Sequence, residues 1–134
     1  MKLITSQTDY AIRALLFMAC SGSKLVSSLE LEERLNMPRP FLRKILQILQ
    51  RKRILYSVKG SKGGFGLALS PDEIFLNDVM NIFQNRINLS KCFFRKKICT
   101  NKNTCTLRKE IMHIEQYILK RIGRITLKKL LHKL

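Results

Sequence analysis

The sequence predicts a mainly α-helical chain with one small β-hairpin: a winged helix-turn-helix followed by a long dimerisation helix. Three observations carry that prediction. Residues 27–51 read as two helices joined by a short turn, the second with a basic outer face. A glycine-rich hairpin signal follows directly over 53–69. From Leu107 onward apolar residues recur every three or four positions, close to a coiled-coil repeat.

The elements follow in order. Ser6 to Cys20 reads as the first helix, with Ser6 as its cap and Ala11, Ile12, Leu15, Leu16 and Ala19 on its apolar side. Cys20 is expected there as a small core residue. Asp9 and Arg13 stand four apart on the polar side, and Gly22 ends the helix. A second, short helix starts at Ser27 or Ser28, with Leu29, Leu31 and Leu35 as its apolar members, and Asn36-Met-Pro38 closes it. Pro38 and Pro40 open the third helix, where a missing N–H costs nothing. Leu42, Ile45, Leu46 and Leu49 form its buried stripe, and Arg39, Arg43, Lys44, Gln47, Gln50 and Arg51 lie off it.

Strands are expected over Arg53–Val58 and Phe65–Leu69, around the turn Lys59-Gly-Ser-Lys-Gly-Gly64. A hairpin in this place makes the helix-turn-helix winged. Its glycines permit close backbone approach to phosphate or a minor groove, with Lys59, Ser61 and Lys62 at the tip. Another helical stretch starts at Ser70-Pro-Asp-Glu73 and includes Ile74, Val79, Ile82 and Phe83. In the last long helix Leu107, Ile111, Ile114, Ile118, Ile122 and Ile125 form a seam that a second copy would bury; packing on its own domain is the alternative. Gly123 interrupts that helix and Thr126 caps a short terminal one. The expected organisation is a winged domain over 1–84, a cysteine loop over 85–105, and dimerisation and terminal helices over 106–134.

Charge narrows the function. The 134 residues hold 26 Lys and Arg against nine Asp and Glu, a net charge of +17. Such an excess favours a polyanionic partner, because neutralising phosphates releases condensed counterions. Anionic lipid attracts basic proteins too, and a Lys-, Ile- and Asn-rich composition also follows genome bias. The third helix and wing point to double-stranded DNA, with Arg39, Arg43, Lys44 and Gln47 as major-groove candidates and Lys59, Ser61 and Lys62 as backbone or minor-groove contacts. Major-groove readers work in pairs on palindromic sites, which fits a homodimer. The run from Ala14 to Cys20 is too short to span a bilayer, and no secretory pattern opens the chain, so a cytoplasmic protein without a membrane partner is expected. No Ser/His/Asp, paired-carboxylate or phosphate-loop constellation suggests an enzyme.

Cys92, Cys99 and Cys105 fall within fourteen residues at spacing C-x6-C-x5-C, in a loop with Lys91, Arg95, Lys96, Lys97 and Lys102 and no acid. A loop this polar does not gather three thiols for packing. In a reducing compartment such grouping points to a soft metal or cluster. Zinc is the chemical rival and a metal-free redox switch the third reading. A zinc-stabilised basic module that binds nucleic acid or protein without sensing is therefore the alternative function.

Thr8-Asp-Tyr-Ala-Ile-Arg13, Pro40-Phe-Leu42, the wing Val58-Lys-Gly-Ser-Lys-Gly-Gly-Phe65 and the three-cysteine loop occur in this order in one family. The sequence resembles the Rrf-type iron–sulfur transcription regulators, with IscR-, NsrR- and RirA-like branches, over nearly its whole length. The resemblance implies a homodimeric winged-helix regulator, in a family that includes repressors, with repression and activation both open here, holding an iron–sulfur cluster through Cys92, Cys99 and Cys105. The IscR-like branch carries a His three positions after the third Cys, and Arg108 stands there in this chain. The NsrR-like branch uses an Asp near the start of the first helix, from the other subunit, and Asp9 matches it. That match leans towards a 4Fe–4S cluster, with 2Fe–2S the other option, and towards sensing of nitric oxide, redox stress, iron or iron–sulfur status. Asp9 is equally placed for a surface pair with Arg13.

Overall fold

The computed structural model describes residues 2–22, 24–89, 99–101 and 103–131. The described elements are α1 (Ser6–Cys20), α2 (Ser28–Leu35), α3 (Arg39–Arg51), β1 (Leu55–Val58), β2 (Gly64–Leu67), α4 (Leu76–Phe83), α5 (Thr106–Ile122) and α6 (Leu127–Leu131). The mainly helical class with a two-stranded hairpin is the one the sequence predicts.

α1 is the hub. Its Ala11, Ala14, Leu15 and Met18 are at most 1% exposed and belong to one core with Leu31, Leu42, Ile45, Leu46, Leu49, Val79 and Leu127. Burying a Leu of this kind stabilises the fold by about 1.5–3 kcal/mol relative to leaving it in water. Thr5, not Ser6, is the N-cap: its Oγ1 accepts from Thr8 N at 3.3 Å. Cys20 is exposed rather than part of the core: the last turn of α1 puts Met18 inward, with Phe17 and Ala19 packed beside it, and leaves Cys20 on the outer side.

Ser27 caps α2 by accepting from Glu30 N at 3.1 Å. Asn36 ends it in the left-handed conformation, φ 48°, which Asn tolerates well. Leu29 is 51% exposed, a departure from the expected apolar face: α2 is only two turns long and buries Leu31 alone. Met37 drops into the core and steers the chain into α3.

β1 and β2 pair antiparallel, Leu55 opposite Leu67 and Val58 opposite Gly64. Both strands are shorter than the sequence pattern suggests. Val26 extends the hairpin by one bridge to Phe65, Val26 N donating to Phe65 O at 2.9 Å and Phe65 N to Val26 O at 2.8 Å. A side chain at Gly64, φ 154°, would meet Val26 O at 2.6 Å, so this bridge requires glycine. α4 begins at Leu76, later than expected, because 71–73 form a turn in which Glu73 N donates to Ser70 O.

α5 ends at Gly123, and Thr126 Oγ1 accepts from Lys129 N at 3.2 Å, opening α6 as its sequence suggests. α6 returns to the core: Leu127 N donates to Ile74 O, and Leu76 N donates to Ile125 O, both at 2.8 Å. The seam residues of α5 divide. Ile122 is buried, Ile111 and Ile118 are half-buried, while Leu107, Ile114 and Tyr117 are 71%, 52% and 67% exposed.

Candidate nucleic-acid interface and thiol loop

α3 owes its orientation to its apolar stripe. Leu42, Ile45, Leu46 and Leu49 are all at most 2% exposed, so Arg43, Lys44, Gln47, Gln50 and Arg51 stand outward in solvent. Two side-chain contacts fix this helix to its neighbours. Arg39 Nε donates to Glu32 Oε2 at 2.9 Å, linking the start of α3 to α2. Gln50 Nε2 donates to Ser57 Oγ at 2.8 Å, linking the end of α3 to β1. The structure therefore leaves Arg43, Lys44 and Gln47 exposed on one outer surface and engages Arg39 with Glu32.

The wing is held from three sides: β1 packs on α3, β2 on α1, and the Val26 bridge joins it to the segment leading into α2. Tyr56 lies opposite Gly66, where an added Cβ would come within 2.7 Å of the Tyr56 ring. The aromatic ring thus covers the glycine and stiffens the outer face of the hairpin. Lys59, Ser61 and Lys62 are exposed at the tip.

The thiol loop begins and ends on α5. Leu89 N donates to Glu115 Oε2 at 2.6 Å, and Cys105 is the N-cap residue of the helix. At ~1.5 Å of rise per residue these two anchor points lie on the order of 15 Å apart along α5. Cys105 is a half-buried free thiol that accepts no capping hydrogen bond, and Cys99 is an exposed free thiol. Cys92, Lys91, Arg95, Lys96, Lys97 and Lys102 lie outside the described residues. The donor chemistry of the two described loop thiols fits an iron–sulfur cluster: Cys99 and Cys105 are soft sulfur donors not engaged in disulfides. Among the described residues no three His, Cys, Asp or Glu side chains converge. Asp9 pairs with Arg13 at 3.0 Å, both side chains about half exposed, as its i,i+4 position allows.

Sequence reasoning missed Thr8 and Gln84. Thr8 is fully buried, and its Oγ1 donates to Gln84 Oε1 at 2.8 Å. The same Oε1 accepts from Thr5 N at 3.0 Å, while Gln84 Nε2 donates to Leu3 O at 3.0 Å. One amide thus fastens the start of α1 to the end of α4, where the chain departs for the thiol loop. Glu32, Ser57 and Glu115 were missed too, since nothing local marks partners this far along the chain.

A family model for Rrf2, described as an iron-dependent transcriptional regulator, matches residues 4–133. The chain belongs to the Rrf2 family. The HTH-type transcriptional regulator NsrR of Halalkalibacterium halodurans is 30% identical over 128 residues, 87% of each chain. The fold is similar to that of CymR, the global cysteine regulator of B. subtilis, with a TM-score of 0.83 at 18% identity, over 100% of this chain and 99% of that one. It is also similar to T. potens IscR, with a TM-score of 0.76 at 21% identity, over 99% and 88% of the two chains. Rrf2 proteins are DNA-binding transcription regulators of winged-helix fold, not enzymes, and this chain is one of them. No helix among the described residues is long and apolar enough to cross a membrane.

Proposed function

We propose that this Rrf2 protein is a cytoplasmic homodimer that reads a palindromic operator and senses iron–sulfur status, iron, or nitric oxide and redox stress through an iron–sulfur cluster. Cys92, Cys99 and Cys105 are the ligands, with Asp9 of the partner subunit as the candidate fourth. The 4Fe–4S form is preferred over 2Fe–2S, because Asp9 stands where the NsrR-like pattern has its Asp. Arg39, Arg43, Lys44 and Gln47 serve the major groove, and Lys59, Ser61 and Lys62 the wing contacts. Residues 1–84 act as the reading domain, 85–105 as the sensing loop, and 106–134 as the dimer element with its terminal helix.

The observation that carries this reading is the attachment of both loop ends to α5, the helix with uncovered apolar residues. When bound, a cluster would supply iron that reacts with oxygen and nitric oxide and a centre that exchanges electrons. The chain's own part is mechanical. Glu115 holds the loop's entry and Cys105 its exit, so a change of loop shape pulls on α5. If α5 pairs with its twin, that pull alters the spacing of the two α3 helices. Gln84 gives the loop a second handle, on the start of α1.

Anaerobic purification tests the reading. The protein emerges brown with iron and acid-labile sulfide, Cys99→Ala loses the colour, and Asp9→Ala changes the Mössbauer spectrum. A colourless protein with stoichiometric zinc overturns the sensing and leaves a zinc-stabilised module; an unchanged spectrum in Asp9→Ala removes that ligand alone.

A further inference from the structure

The positive charge of this chain is concentrated away from the helix-turn-helix. Residues 1–84 hold twelve Lys and Arg against seven Asp and Glu; residues 85–134 hold fourteen against two. No acid follows Glu115. At the corner between α5 and α6, Lys120, Arg121, Arg124, Lys128 and Lys129 are all exposed, and none belongs to the Asp9–Arg13 or Glu32–Arg39 ion pair; Asp72 lies near enough to Lys128 for its carboxyl to feel that charge.

Cations at the end of a helix complement its dipole, and that accounts for Lys120 and Arg121. It does not account for Arg124, which follows the helix, or for Lys128 and Lys129 on a five-residue helix. The corner is also built firmly. Ile122 and Leu127 are buried on either side of it, Phe75 and Thr126 form a bridge, and Lys128 N donates to Pro71 O at 2.9 Å. Pro71 lies four residues beyond β2, so wing and corner are carried by one packed unit. Asp72 offsets part of the charge of Lys128, and the like charges that remain repel one another unless something anionic covers them.

We propose that the α5–α6 corner is a second DNA surface, which binds phosphates of the duplex flanking the half-site read by α3 and the wing. A lipid surface is the other polyanion to weigh. A membrane-binding amphipathic helix needs a free apolar face. α6 has none to give, since Leu127 and Leu130 face a crevice with Ile12, Ile74, Leu76 and Val79. What the corner offers is charge alone, which suits a phosphate backbone and carries no base readout. The inference rests on the family's DNA binding and is independent of whether a cluster is present.

The test is a salt titration of binding by the full chain to two random-sequence duplexes, of about 16 and about 45 base pairs, the longer extending well beyond two half-sites. The wild type shows a steeper fall of log K with log salt on the longer duplex, by roughly 3–5 per bound subunit, at ~0.9 per phosphate neutralised. Replacing Lys120, Arg121, Arg124, Lys128 and Lys129 by Gln removes that excess and leaves the short-duplex slope in place. Should the fivefold variant melt early by circular dichroism, Lys128→Gln with Lys129→Gln decides, with a loss of about 2. Equal slopes for wild type on both duplexes, or an unaltered long-duplex slope in the variants, overturn the proposal. Binding to phosphatidylglycerol vesicles that the variants lose, with DNA slopes unchanged, overturns it in favour of a membrane surface.

Discussion

α3 and α5 carry the same kind of stripe, with apolar residues every three or four positions, yet they end in opposite states. α3 hides Leu42, Ile45, Leu46 and Leu49 completely. α5 hides Ile122, half-covers Ile111 and Ile118, and leaves Leu107, Ile114 and Tyr117 in solvent. The difference lies in the surroundings. α3 packs against α1, α2 and β1, whereas among the described residues α5 meets the rest of its chain through α4, through the Glu115 contact with Leu89 and through its own C-terminal end. Periodicity therefore announces that a face will be buried without naming what buries it. For α3 the partner is in the same chain; for α5 the proposal is a second copy.

Mutations separate the two stripes. Leu46→Ala leaves a cavity in a closed core and costs about 2–5 kcal/mol, read as a lower denaturation midpoint at unchanged m-value. Ile114→Asp with Tyr117→Asp leaves the fold of the reading domain intact, converts a dimer into a monomer in sedimentation, and weakens operator binding by at least tenfold. A dimer that survives those two charges would show that α5 is not the interface.

Smaller effects sharpen the same contrast within the packed half. Thr8→Val removes the hydroxyl from a buried network and loosens the hold of Gln84 on α1, at about 1–3 kcal/mol. Arg43→Ala, on the outer side of α3, leaves stability unchanged and lowers operator affinity by about 1–3 kcal/mol if it meets a base edge. A uniform loss across all sequences, with a salt slope lower by about 1, would mark it as a phosphate contact instead.

The smallest effect concerns the turn leaving the wing. The Ser70 hydroxyl holds the Asp72 carboxyl below its ordinary value of 3.8, with its own backbone N–H and Lys128 adding to this. A carboxyl depressed in the folded state contributes stability above its unfolded value, and that contribution is lost as pH falls through the folded one. Ser70→Ala raises the Asp72 pKa in an NMR titration and removes that small contribution near neutrality, leaving stability below the folded pKa unchanged.

The reading helices were legible almost to the residue, because their patterns are local. α1 spans the expected Ser6–Cys20, and the stripe of α3 is buried as its spacing implies. Errors came where local signals compete. Thr5 and Ser6 are both competent caps, and the geometry selects Thr5. Cys20 and Leu29 fall near helix ends, where Met18 and Leu31 take the buried positions, and period alone does not show how far round the helix the covered face extends. The Thr8–Gln84 contact joins residues 76 apart in the chain and leaves no local trace. Of the candidate ligands, Cys99 and Cys105 are placed as free thiols near the start of α5, and Asp9 is engaged by Arg13.

If loop chemistry controls DNA reading, the operator affinity of one anaerobic preparation changes when its cluster is destroyed with nitric oxide. The expected change is at least tenfold, with the dimer intact. Equal affinity before and after, despite complete loss of the visible absorption, would contradict it.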